Sequence, residues 1–174
     1  MPPREQERIE NAANLVKQET QYTVDLGYYY LNNDSFIMVL PELEINHFKY
    51  MNKLVLRGNS IDDDGLLELV DCLYSAHNTK LRHLDLSETN IGDRGLQGLI
   101  ECIREAIFSI NFVEIEGLRE VSQDMKGKLE ACLRHATIQY GEWKKQDRLN
   151  DMRKAADKRD HYDEIGLNYV GKPY

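Results

Sequence analysis

The sequence predicts an α/β solenoid of about four strand-helix units, with a parallel sheet on the concave face, an N-terminal capping helix and a C-terminal helix plus extended arm. Three observations predict it. An apolar-x-apolar triplet recurs as Val24-Asp25-Leu26, Leu54-Val55-Leu56, Leu84-Asp85-Leu86 and Val113-Glu114-Ile115, with starts 30, 30 and 29 residues apart. Behind each triplet the apolar spacing changes from two to three and four, as it does where a short strand hands over to an amphipathic helix. Cys72, Cys102 and Cys132 fall on the same 30-residue period. A unit of that size cannot bury both of its faces alone, so neighbours must stack.

The first element is a helix over residues 4–18, where Ile9, Ala12, Ala13 and Val16 stand at i, i+3, i+4 and i+7. Residues 1–21 are thus expected to cap the exposed edge of the first unit, the other reading being a helix docked on another subunit. Residues 22–140 form the repeats. Five residues after the closing apolar position come Leu31, Ile61 and Ile91; ten after it come Phe36, Leu66, Leu96 and Met125. The helix stripes continue with Val39, Leu40 and Leu43, then Leu69, Val70 and Leu73, then Leu99, Ile100 and Ile103. Asp64-Gly65 and Asp93-Arg94-Gly95 carry the acids and flexible backbone that suit a helix start. The fourth unit has Glu120 where the pattern asks for an apolar residue. Such departures are expected of a terminal unit.

Residues 141–160 read as a separate charged helix. Lys144/Asp147, Arg148/Asp151 and Lys154/Asp157 pair at i, i+3, and few apolar residues occur beyond Trp143, Leu149 and Met152. A helix polar nearly all round is solvent-bridging or held by a partner. Residues 161–174 turn apolar again with Tyr162, Ile165, Leu167, Tyr169, Val170 and Tyr174. They are too few for a core, and they read as an extended arm laid over another subunit.

LVLRGNSIDDDGLLELVDCL and LDLSETNIGDRGLQGLIECI resemble leucine-rich repeats of the ribonuclease-inhibitor type. That likeness implies strands on a concave face, helices outside, and Asn59 satisfying backbone groups of the turn. In the next unit Thr89 takes that place, with Asn90 a candidate to shift the role by one residue. A narrower likeness runs through Asp34-Ser35-Phe36-Ile37-Met38, His47-Phe48, Met51-Asn52-Lys53-Leu54, Ile61-Asp62-Asp63-Asp64, Leu66-Leu67, Gly117-Leu118-Arg119 and Lys128-Leu129. These residues resemble the family of the mitochondrial ATP synthase subunit s (coupling factor B) and the distal membrane-arm assembly component 2 of respiratory complex I. The resemblance implies an accessory or assembly role on an inner-membrane respiratory machine, peripheral to the membrane, and supplies no catalytic residues.

The residues exclude several other classes. A formal net charge of −8 argues against nucleic acid as a partner, because phosphate binding needs a basic face. No apolar run approaches the ~20 residues of a membrane span. The first twenty residues show neither a secretory core nor an arginine-rich presequence, which counts against a mitochondrial location unless import proceeds without a cleaved leader. His47, His77, His83, His135 and His161 follow no metal-ligand spacing, and His83 is expected to face solvent. Asp62-Asp63-Asp64 lacks the alternating ligands of a calcium loop. The cysteines are expected to behave as small buried hydrophobes. No catalytic, metal-binding or cofactor-binding residue is therefore assigned, and an enzyme is not expected. Partner-binding candidates are the arm residues, Trp143, and the concave-face acids Asp25, Asp85 and Glu114. Thr23, Lys53, His83 and Phe112 flank that strip. Besides a respiratory or ATP synthase subunit, the sequence admits a cytoplasmic or axonemal adaptor and a protein inhibitor of an enzyme.

Overall fold

A computed structural model describes residues 4–17, 22–46, 50–75, 80–105 and 110–164, without the side chains of 45, 46, 143 and 155–164. It orders as α1 (Glu5–Lys17), β1 (Thr23–Asp25), α2 (Asn33–Asn46), β2 (Lys53–Val55), α3 (Asp63–Ser75), β3 (His83–Asp85), α4 (Asp93–Arg104), β4 (Phe112–Glu114) and α5 (Gln123–Glu164). The four strands form one parallel sheet in sequence order. Val24, Leu54, Leu84 and Val113 lie side by side in register. This is the solenoid that the repeat predicts, each strand leading into the helix that covers it.

The core follows the 30-residue pattern. Leu31, Ile61 and Ile91, with Phe36, Leu66 and Leu96 and their followers on the helices, are all buried. At ~1.5–3 kcal/mol for each fully buried large aliphatic or aromatic side chain, this continuous column dominates the stability of the stack. Helix α1 packs on α2 and buries Ala12 and Val16.

The fourth unit departs by one residue. Its strand follows the third after 29 residues, yet Val121, 30 after Ile91, is the buried residue while Glu120 is exposed. The loop thus absorbs one extra residue and restores the helix register, so Glu120 costs the core nothing.

Helix starts recur on the same period. Asn32 and Ser35 form a reciprocal cap: the Ser35 N–H donates to Asn32 Oδ1 at 2.9 Å and the Asn32 N–H to Ser35 Oγ at 2.8 Å. Asp62 Oδ1 accepts the Asp64 N–H at 2.8 Å, and Ser122 Oγ accepts the Met125 N–H at 3.2 Å. Helix α4 begins after Gly92, which supplies no side-chain cap.

Two compact units are distinguished, Met1–Thr137 and Ile138–Tyr174. The sequence boundary at 140/141 is not a break in the chain's secondary structure. Helix α5 runs for 42 residues, continuous from the fourth unit through the charged segment to Glu164, four residues into the expected arm. Nothing in that stretch stops it. No proline interrupts it, Gly127 and Gly141 each cost about 1 kcal/mol against alanine, and its many Lys, Arg, Gln, Glu and Ala residues favour helix.

Candidate interaction surfaces

The concave strip is less open and less acidic than the sequence suggests. Asp25 is exposed, its Oδ1 accepting the Gly27 N–H at 2.9 Å. Asp85 repeats that bond to the Ser87 N–H at 3.0 Å, but it is buried. It therefore serves the turn and leaves little surface for a partner. Glu114 lies 2.5 Å from His83 Nε2 and 3.4 Å from Lys53 Nζ, so strands β2 to β4 share one neutralised group. His83 is consequently half-buried rather than solvent-facing, and it meets the ring of Phe112 edge-on with centroids 4.5 Å apart. Phe112 keeps 53 % of its surface exposed and is the large apolar contact the strip offers.

Just past the strands a second array forms. The residues at 28, 58, 88 and 117 all have left-handed backbone, with φ of 59, 70, 56 and 74°. Glycine fills this position in the second and fourth units, as its freedom there predicts; Tyr28 and Glu88 fill it in the first and third. Those two side chains meet across the intervening unit. The Tyr28 hydroxyl donates to Glu88 Oε2 at 3.1 Å and accepts from Arg57 Nε at 3.1 Å. Arg57 also donates to Glu88 Oε1, from Nε at 3.0 Å and from the terminal nitrogen at 2.5 Å, and approaches Glu116 at 3.6 Å. The tyrosine ring lies where a side chain on Gly58 would stand. The Arg57 hydrogen bond, then that of Tyr28, holds the Glu88 carboxyl below its ordinary pKa. The cluster stands between two shallow depressions. One of about 550 Å³ is lined by Glu88, Asn90, Gly117, Arg119 and Glu120. The other, of about 540 Å³, is lined by Arg8, Asn11, Asn14 and Tyr28 to Tyr30.

On the far side of each turn a ladder joins the units. Asn33 Oδ1 accepts the Asp62 N–H at 3.1 Å, Asp63 Oδ1 the Gly92 N–H at 2.7 Å, and Asp93 Oδ1 the Ser122 N–H at 2.8 Å. Asp62 and Asp93 are held below the ordinary carboxyl pKa, by the Asn33 and Ser122 hydrogen bonds respectively. The acids before the helices thus serve cohesion between repeats. Asn59 does likewise: its amide donates to the Leu26 and Leu56 carbonyls at 2.9 and 2.7 Å, and its Oδ1 accepts the Leu31 N–H at 2.9 Å. Thr89 Oγ1 donates to the Leu86 carbonyl at 2.7 Å, while the Asn90 side chain stays exposed. The role does not shift to Asn90, because the buried hydroxyl already reaches the carbonyl. The turn cluster and the ladder both escaped the sequence reading, although Asn33, Asp63 and Asp93, like Gly65 and Gly95, keep the 30-residue spacing that would have shown them.

Cys102 and Cys132 are buried and Cys72 half-buried. Burial pushes the Cys102 thiol up to about 12, the opposite of a reactive thiolate. Among the described residues no three His, Cys, Asp or Glu side chains are grouped to hold a metal ion. No helix of the described residues is long and apolar enough to cross a membrane.

Helix α5 beyond residue 137 presents Ile138, Leu149 and Met152 at 61, 50 and 69 % exposure. At 100° per residue the three fall within about 60° of one another around the helix. Trp143 and Tyr162 lie on this helix, but their side chains are outside the described set. The arm candidates Ile165, Leu167, Tyr169, Val170 and Tyr174 lie outside the described residues altogether.

Comparison with known proteins agrees with this fold. Residues 49–70 and 77–99 match the family model described as Leucine Rich repeat. Among solved structures, the chain is similar to "Leiomodin-1 Actin-Binding Site 2 (ABS2)" with a TM-score of 0.61 at 14 % identity, over 89 % of this chain and 99 % of that one. No curated protein matches the chain in sequence. The molecule has the leucine-rich-repeat fold, with four parallel strands alternating with helices.

Proposed function

We propose that the chain is a non-catalytic protein-binding subunit that attaches to a large assembly through α5 and the arm beyond it. The observation that carries this reading is the exposed sector of Ile138, Leu149 and Met152 on a helix of 42 residues, where α2 to α4 need only 12 to 14 to cover their strands. Large apolar side chains aligned on one side of an otherwise charged helix lose hydration cost when a partner covers them. The concave strip adds area through Phe112. The depressions beside the turn cluster gather hydrogen-bonding groups but no nucleophile-base pair, in keeping with a binding role.

The assembly we propose is a mitochondrial inner-membrane respiratory or ATP synthase complex, with the chain peripheral to the membrane. What supports that choice is the resemblance carried by Asp34-Ser35-Phe36, Met51-Asn52-Lys53 and Gly117-Leu118-Arg119. The test is fractionation in mild detergent of cells carrying the tagged chain. Sedimentation with respiratory particles is expected, and Ile138→Asp/Leu149→Asp/Met152→Asp should release the chain to the light fractions. A wild-type pool found wholly in the cytosol or axoneme would overturn the mitochondrial assignment in favour of the adaptor reading.

A further inference from the structure

The exposed apolar residues of α5 beyond residue 137 belong to a regular series. Ile138, Glu142, Lys145, Leu149 and Met152 follow one another at intervals of 4, 3, 4 and 3 residues, the alternation of a coiled-coil seam. All five are exposed.

Charge is sorted about this seam. Counted at about 100° per residue, Lys145, Arg148 and Arg153 stand within about 70° of its centre, together with one carboxylate, Glu142. Asp147 and Asp151 turn to the far side with Lys154. The seam face is thus net positive, although the whole chain has a formal net charge of −8. Its three cations are uncommitted: among the described residues none of them forms an ion pair. Away from the seam, Lys144 lies 5.9 Å from the centre of the Tyr140 ring, and Gln146 donates to Asn150 at 3.2 Å.

We propose that the partner packed along this face of α5 is a helix with an apolar seam and acidic edges. Its apolar residues cover Ile138, Leu149 and Met152, and its carboxylates meet Lys145, Arg148 and Arg153. A basic group of the same helix pairs with Glu142. Opposite charges at adjacent seam positions fix the register, because a shifted partner brings like charges together.

Two other occupants fit this face less well. A second copy brings the same net positive face, and like faces repel. A lipid surface favours a broad apolar face edged by cations, whereas here the apolar sector spans about 60° and Glu142 stands at its rim. The inference rests on the reading of α5 as the attachment helix and names the chemistry of what it meets.

Two synthetic helical peptides test it, both with leucine at the seam positions, one with glutamate and the other with lysine along the edges. Titrated with the full chain, the glutamate peptide should bind about tenfold more tightly, and the difference should shrink in high salt. Lys145→Glu/Arg148→Glu/Arg153→Glu should reverse the preference with an unchanged thermal melt. Lys144→Glu/Lys154→Glu, away from the seam, should keep it. A chain indifferent to the edge charge overturns the proposal. So does binding to vesicles of phosphatidylcholine and phosphatidylglycerol but to neither peptide, or self-association abolished by Leu149→Asp/Met152→Asp. If the chain shows no preference yet Ile138→Asp/Leu149→Asp/Met152→Asp frees it from its particle, this inference falls while the attachment reading stands.

Discussion

Asn59 spends all three of its short hydrogen bonds on buried backbone, tying the Leu26 and Leu56 carbonyls to the Leu31 N–H. Replacing it by alanine leaves those groups unsatisfied, at about 1–3 kcal/mol for each one that water cannot reach. Asn59→Ala should therefore lower the urea midpoint more than any single exposed substitution on the sheet. Glu88 presents the opposite case. Its bonds to Arg57 and Tyr28 are exposed to solvent, where such pairs add little to stability. Its left-handed backbone is unfavourable for a residue with a Cβ, and glycine removes that cost. Glu88→Gly should leave the urea midpoint level or raise it, although the cluster is lost.

The ladder carboxylates give a pH dependence of fixed sign. Asp62 and Asp93 have folded pKa values lowered from 3.8. Their contribution is complete above the unfolded value and disappears as pH falls through the folded one. Stability should therefore drop below about pH 4. Asp93→Asn should make that drop shallower when unfolding midpoints are measured between neutral and strongly acid solution.

At the scale of elements, two helical glycines separate packing from propensity. A methyl on Gly95 would lie 2.6 Å from Asp63 Oδ1 and 3.1 Å from its Cα, inside the ladder. On Gly127 it would meet nothing within 4 Å. Gly95→Ala should destabilise by about 1–3 kcal/mol through overpacking, whereas Gly127→Ala should stabilise by roughly 0.5–1 kcal/mol. Thermal unfolding of the two variants checks both signs. Strand and helix faces were legible because a single chain's periodicity dictates them: Leu54, Leu84 and Val113 could face only one way. The ladder and the turn cluster were not, because Asp63 meets Gly92, and Tyr28 meets Glu88, only once units 29 and 60 residues apart have stacked. That one helix crosses residue 141 was hidden for another reason. A change in charge density at residue 141 looks like a boundary, but helix propensity is indifferent to it and carries α5 on to Glu164.

Over the whole molecule, the repeats make a stack whose polar groups are largely committed to one another, and α5 carries exposed apolar surface at Ile138, Leu149 and Met152. Of the candidate site, the sequence offered Trp143, the arm residues and the concave acids but not Ile138, Leu149 and Met152 as contacts, nor that Asp85 and Glu114 were already engaged, since their partners come from backbone turns and neighbouring strands. The central claim is that the chain binds its assembly through α5. Hydrogen exchange of the full chain, free and within the purified particle, tests it most directly. Binding should slow the amides around Ile138, Leu149 and Met152 while leaving the core of α3 and α4 unchanged. If those α5 amides exchange at the same rate in both states and protection appears only along β1 to β4, attachment is through the concave face and the account is wrong.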